Sequence, residues 1–289
     1  MKLATVLHRK TGKERWGLWG EEAFFPVPEE LGYPTLLSYI EDEERDLSVL
    51  KNLKEGIPFE EVRLKPPYRP ERNLYCVGKN YREHVKEVSN FTGSGEIPEY
   101  PLFFTKGPNT VIGHLDEIDP HVGITNAIDY EGELAVILGK GGRNILEEEA
   151  IDYIFAYTIF NDVTARDLQK RHQQFFKGKS LDTFAPFGPY LLVNEGNLMS
   201  QPFHIETYVN GEKRQDGKTD QLIFSIPRLI HILSQGMTLK AGDILATGTP
   251  SGVGQGFTPP RYLRPGDVVE VHIDQIGVLR NQVGPGEKN

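Results

Sequence analysis

The sequence predicts an α+β protein built mainly of strands, and three observations carry that expectation. From about residue 66 onward, short apolar runs rich in β-branched and aromatic residues recur along the chain. Turn signals separate them, among them the Asn-Gly pair of VNGEKRQ. Segments of helical period are few and short, which argues for a β-rich domain with peripheral helices and against a doubly wound parallel sheet.

Taken in order, residues 1–65 read as a small N-terminal α/β domain. KLATVLH and RWGLWG form a hairpin pattern, and TLLSYIEDEERDLSVLKNLKEG spaces Leu36, Leu37, Ile40, Leu47, Leu50 and Leu53 for one face of a single helix, with Gly56 as its stop. The proline-rich KPPYRPERN marks the boundary, so that residues 66–289 make up the second domain. Its strands are expected at NLYCVG, LFFTK, ELAVILG, IFAYTIFND, YLLVN, FHIETYVNGE, DILATGT and VVEVHID, the last belonging to a closing strand pair. Short helices are expected at YREHVKEV, EEEAIDYIFA, TARDLQKRH and SIPRLIHILSQG. No internal repeat stands out.

Composition narrows the function. A chain of 289 residues with 38% hydrophobic and 25% charged residues is that of a soluble, loop-rich globular protein. A net charge of −9 argues against nucleic acid as a partner, and the apolar runs are too short to span a membrane. With no signal-peptide pattern at the start, the expected compartment is the cytoplasm. The single cysteine, Cys76, rules out an internal disulfide and sits in an apolar strand, where a buried inert thiol is the simpler reading.

The segment IDYEGELAVILGK places Asp129, Glu131 and Glu133 within five residues at the entrance to an apolar run. On a strand, residues two apart share a face, so these acids would project together, with Asp129 joining at the mouth. Like charges converging on one point call for something positive between them, and a solvated strand rim is the competing explanation. A third acid, Asp162, ends the apolar run AYTIFND. If the two strands are neighbours, Glu131, Glu133 and Asp162 make an all-oxygen site suited to Mg²⁺ or Mn²⁺. Structural calcium is the alternative, although no loop has calcium-hand spacing.

Elsewhere, CVGKNYREHVKE carries His84 and Glu87 at helical spacing, either a general-base dyad or an ordinary surface pair. The glycine-rich SNFTGSGEIPEYP behind it has the composition of a lid or hinge. FFKGKSLD offers Lys177 and Lys179 for holding a substrate carboxylate or an enolate. ATGTPSGVGQG lacks the Lys-Ser/Thr pair of a P-loop, but its glycines could present backbone donors, together with Thr249, to an anion.

The succession GKNYREH, DYEGELAVILGK, YTIFNDVTARDLQ, KGKSLDTFAPFGP and ATGTPSGVG resembles the fumarylacetoacetate hydrolase family over roughly residues 70–285. That resemblance implies a mixed β-roll or sandwich catalytic domain and a homodimer. It makes Glu131, Glu133 and Asp162 the ligands of Mg²⁺ or Mn²⁺ and His84 with Glu87 the water-activating dyad. It also sets Lys179 against the substrate, Gln169 near a developing oxyanion, Thr249 on the substrate carboxylate, and Arg82 and Arg166 as secondary contacts. The implied partner is a small-molecule 2-oxo acid. The implied reaction is carbon–carbon cleavage of 2-oxo or 2,4-dioxo acids through a metal-bound pyruvate enolate, as in acylpyruvate hydrolysis or oxaloacetate decarboxylation. A hydroxydienoate isomerase and a non-catalytic metabolite-binding protein are the alternatives.

Overall fold

In the computed structural model, which describes residues 1–89, 95–196 and 198–286, strands dominate a mixed α/β fold. The larger sheet follows the order 57–58, 23–26, 14–19, 2–8, 185–193, 154–161, 132–138, 244–246, 74–78 and 102–106. Two further strands pair off this path, 62–65 with 2–8 and 111–112 with 185–193. A second sheet runs 212–218, 204–209, 268–273, 277–283 and 117–118, and neither path closes into a barrel. The N-terminal strands join the larger sheet directly, with Lys2 opposite Leu192 and Leu3 opposite Leu191.

The apolar strand Gly132–Leu138 is buried along its whole length because both faces are covered. Leu134, Val136 and Leu138 enter one core cluster with Tyr157 and Ile159, and the second sheet packs into that cluster through Ile205, Val269 and Val271. Ala135 and Ile137 face the other way, toward Phe160, Tyr39 and Phe155. This period-2 division has a consequence at the strand's entrance. Glu131 and Glu133 share the parity of Ala135 and Ile137, so they lie on the face opposite the second sheet.

The N-terminal helix differs from expectation. In place of one helix over residues 35–56 there are two short ones, Leu36–Glu41 and Ser48–Lys51. Between them, local side-chain bonds outcompete the helical ladder: Asp42 accepts from the Glu44 N–H at 2.9 Å and Asp46 from the Ser48 N–H at 2.8 Å. Arg45 Nη1 donates to the carbonyls of Ile40, Asp42 and Gly139, tying the break to the main sheet. Among the described residues, no helix is long and apolar enough to cross a membrane.

Candidate metal and enolate site

The antiparallel ladder between Gly132–Leu138 and Ile154–Asn161 builds the centre of the site. Gly132 pairs with Asn161, and beyond that pair the Asp162 N–H donates to the Glu131 carbonyl at 2.9 Å. The Asn161 side chain accepts from the Glu131 N–H at 3.0 Å, locking the register where the two acids meet. One carboxylate oxygen from each of Glu131, Glu133 and Asp162 then lies within 4.8 Å of the other two, and all three residues are buried. Three hard oxygen donors gathered in this way fit a divalent cation.

Buried cations surround these acids. Lys179 Nζ bridges Glu131 Oε2 and Asp162 Oδ2, both at 2.6 Å. Arg166 Nη2 donates to Glu131 Oε1 at 2.6 Å. Lys106, fully buried, donates to Asp162 Oδ1 at 2.6 Å and to the Val163 carbonyl at 2.9 Å. Burial alone would raise the Glu131 carboxyl, but the charges of Arg166 and Lys179 outweigh it and hold the group below the usual carboxylate range. Glu133 goes the other way. Burial, with Asp162 and Glu131 adding like charge, pushes it well above the ordinary value, against the partial relief given by Lys179 and the Gly248 N–H. Glu131 and Asp162 are ion-paired with the three buried cations, whereas Glu133, among the described residues, accepts only from the Gly248 N–H and is the carboxylate that a divalent ion would compensate.

Two devices place the remaining groups. The short helix Phe176–Lys179 packs closely on the helix Arg166–His172 because Gly178 has no side chain; a Cβ there would lie 2.6 Å from the Gln169 nitrogen. Lys179 is buried as a result, whereas Lys177, its companion in the sequence, is exposed. The second device is the glycine-rich segment 248–256. Its N–H groups do meet anions, and those anions are the protein's own carboxylates. Gly248 donates to Glu133 Oε2 at 2.8 Å, Gly252 to Glu87 Oε1 at 2.8 Å, and Gly254 and Gln255 to the two oxygens of Asp129 at 2.6 and 2.9 Å.

A cavity of about 320 Å³ opens over this centre, lined among others by His84, Glu131, Glu133, Arg166, Gln169, Lys179 and Thr249. His84 is buried on the helix Arg82–Glu87, and its Nδ1 lies 3.2 Å from Glu87 Oε2, which leaves Nε2 for the cavity. Gln169 Oε1 accepts from Arg166 Nη1 at 3.2 Å, so the amide nitrogen is its end available to a ligand. Glu87 and Asp162 stand behind this lining, Glu87 on His84 and Asp162 beside Glu131 and Glu133 in the donor set.

The other candidates stand in different settings. Asp129 does not join the glutamates at a shared mouth: it sits in the two-residue strand Ile128–Asp129, where it clamps Arg166 Nε at 2.8 Å and the 254–255 backbone. Thr249 lines the cavity, but its hydroxyl hydrogen goes to the Gly132 carbonyl at 2.9 Å and its oxygen accepts from Gln215 at 2.7 Å. As placed, that hydroxyl has no hydrogen to offer a substrate carboxylate. Arg82 is exposed and borders a separate surface depression with Asp216 and Asp220. Of the lid-like segment SNFTGSGEIPEYP, residues 90–94 lie outside the described residues. Cys76 is buried, and burial pushes its thiol well above the usual value, consistent with an inert side chain.

Sequence reasoning also missed Lys106 and Gln215. Lys106 carries the signal that exposed Asp162, a charge closing an apolar run, in LFFTK. Gln215, which accepts from the Gly132 N–H at 2.9 Å, carries no such mark.

Residues 73–284 match the family model described as fumarylacetoacetate (FAA) hydrolase C-terminal, and the chain belongs to that family. It is 55% identical over 225 residues to the oxaloacetate tautomerase YisK of Bacillus subtilis, a match covering 78% of this chain and 74% of that protein. Among solved structures, the fumarylacetoacetate hydrolase of Exiguobacterium antarcticum superposes with a TM-score of 0.83 at 42% identity, over 98% of this chain and 99% of that one. A probable 2-hydroxyhepta-2,4-diene-1,7-dioate isomerase from Mycobacterium abscessus superposes with a TM-score of 0.81 at 31% identity, over the full length of both.

Proposed function

We propose that this protein is a divalent-metal-dependent enzyme that interconverts the keto and enol forms of a 2-oxo acid, with oxaloacetate as its leading substrate. The observation that carries the reading is the convergence on one cavity of a three-carboxylate donor set, the lysine that bridges it and a carboxylate-backed histidine. The similarity to an oxaloacetate tautomerase directs the choice of substrate. Mg²⁺ or Mn²⁺ held by Glu131, Glu133 and Asp162 would supply Lewis acidity toward the carboxylate and keto oxygens of the acid.

The chain's own residues supply the proton chemistry. His84 Nε2 takes a proton from C3 and returns one to the developing oxygen, while Glu87 holds Nδ1 and favours the imidazolium that forms in between. Lys179, with its ammonium in a buried setting, and the Gln169 amide balance the negative charge that builds on that oxygen. Here the C3–H bond breaks, an O–H bond forms, and no water attacks. The same dyad can instead take its proton from water, which makes acylpyruvate hydrolysis the second reading, and oxaloacetate decarboxylation, which needs no attacking water, stands beside it through the same enolate.

The test is a panel of oxaloacetate, acetylpyruvate, fumarylpyruvate and a hydroxydienoate, each run with Mg²⁺, with Mn²⁺ and with chelator, against enzyme-free controls. Ultraviolet absorbance reports enol loss and a coupled assay reports pyruvate. The expected result is metal-dependent acceleration of oxaloacetate tautomerisation beyond any release of pyruvate. Pyruvate release at the same rate would favour cleavage. Full activity under chelation would remove the metal from the account, and no turnover of any 2-oxo acid would leave a metabolite-binding protein.

A further inference from the structure

The cavity changes character with depth. Its floor is buried and charged, and its walls are apolar, formed by Val77, Leu102, Phe104 and Phe175. At its outer end Lys79 is half-buried, and Lys170 and Gln173 are exposed. Nothing in the proton chemistry uses these three residues. A small monoanion held on the floor would be fully satisfied there, whereas an acid with charges at both ends and carbon between them would match all three zones.

The backbone strengthens the case. Lys79 has φ 58° and Gln173 has φ 60°, in the left-handed region that residues with a Cβ adopt at an energetic penalty. Both line this one cavity. The neighbouring Asn80 holds the first of these turns rigidly: its side-chain nitrogen donates to the Thr247 and Phe224 carbonyls at 2.8 and 3.1 Å, and its oxygen accepts from the Phe224 N–H at 2.8 Å. Burial also lowers the Lys79 ammonium from its ordinary value, as expected of a charge partly stripped of water beside an apolar wall.

Resting on the functional reading above, we propose that Lys79 and Lys170 at the cavity rim bind the distal carboxylate of a dicarboxylic 2-oxo acid and so set the enzyme's preference for dianionic over monoanionic substrates. Gln173 adds a neutral donor at the same rim.

Because turnover could fail for other reasons, the test uses two unreactive 2-hydroxy acids: malate, which carries the distal carboxylate, and lactate, which lacks it. Their affinities are measured by calorimetry on the full chain with saturating Mg²⁺, for wild type, Lys79→Gln and Lys170→Gln. A charge-assisted hydrogen bond at a partly exposed rim is worth roughly ten-fold in affinity. Wild type should therefore prefer malate by roughly ten-fold or more, and each substitution should weaken malate by roughly five- to thirty-fold with lactate unchanged. Lys177→Gln, at an exposed lysine off the cavity, is the control and should change neither. A malate-to-lactate ratio unaltered in both rim variants, or equal loss for the two acids, overturns the inference. Failure of wild type to turn over oxaloacetate, with the ratio still shifting as predicted, would instead overturn only the functional reading.

Discussion

Glu131, Glu133 and Asp162 on the larger sheet and His204, Glu206 and Asp216 on the second sheet each gather three potential ligands within 4.8 Å, yet the two clusters are chemically unlike. The second is a partly exposed network in which one lysine already holds both acids. Lys213 Nζ reaches Glu206 Oε1 at 2.9 Å and Asp216 Oδ2 at 2.6 Å, and His204 Nε2 lies 2.7 Å from Asp216 Oδ1. The Lys213 hydrogen bond is the largest influence on both acids, and each is held below the usual carboxylate range. In the first cluster, burial and crowding drive Glu133 in the opposite direction despite Lys179 and Lys106 beside its neighbours. Proximity of acids is thus common to both clusters. What distinguishes a metal site is a carboxylate that the fold keeps buried, oriented and insufficiently compensated.

This contrast can be broken most forcefully at the ligands. Asp162→Asn should reduce oxaloacetate tautomerisation to the enzyme-free rate, whereas Asp216→Asn should leave kcat and KM unchanged in the same assay. His84→Ala, which keeps the donor set intact, should remove roughly 10²- to 10⁴-fold from kcat, the range of general acid–base catalysis. Equal losses on tautomerisation and acylpyruvate hydrolysis would show His84 serving one proton-transfer role in both. Loss confined to hydrolysis would make it a water-activating base alone.

Stability should separate the two lysines. Lys179→Met leaves Glu131 and Asp162 each short of a buried partner, and chemical denaturation of the metal-free protein should show a loss of about 3–5 kcal/mol. Lys213→Met, at the exposed cluster, should leave the denaturation midpoint where it was. The smallest expected effect concerns Gly256. A Cβ there would collide with the Glu87 carboxylate, so Gly256→Ala should displace Glu87 from His84 and lower kcat by about ten-fold while metal affinity stays the same. Parallel losses of kcat and metal affinity would mean that the 248–256 segment had shifted as a whole.

The contrast also explains what the sequence could disclose. The strands of the main sheet were legible because strands covered on both faces read as unbroken apolar runs, and Glu131, Glu133, Asp162 and Lys179 stood out as charges set against such runs or beside a glycine. The break in the helix expected over residues 35–56 was hidden because Asp42, Asp46 and Arg45 act through local bonds that leave apolar periodicity intact. The anion-directed N–H groups of residues 248–256 belong to the backbone, so sequence could suggest that they were donors but could not reveal that Glu133, Glu87 and Asp129 receive them. Thr249 shows the same limit. Its hydroxyl looks available in a glycine-rich loop, but the Gly132 carbonyl and the Gln215 side-chain amide engage it.

The central claim is that the buried cluster, and not its surface counterpart, holds the divalent cation, and isothermal titration of metal-stripped protein with Mn²⁺ tests it most directly. Wild type and Glu206→Gln should each bind one Mn²⁺ per chain with the same affinity, and Glu133→Gln, confirmed folded by circular dichroism, should lose that site. Retention of the site in Glu133→Gln, or its loss in Glu206→Gln, would contradict the account.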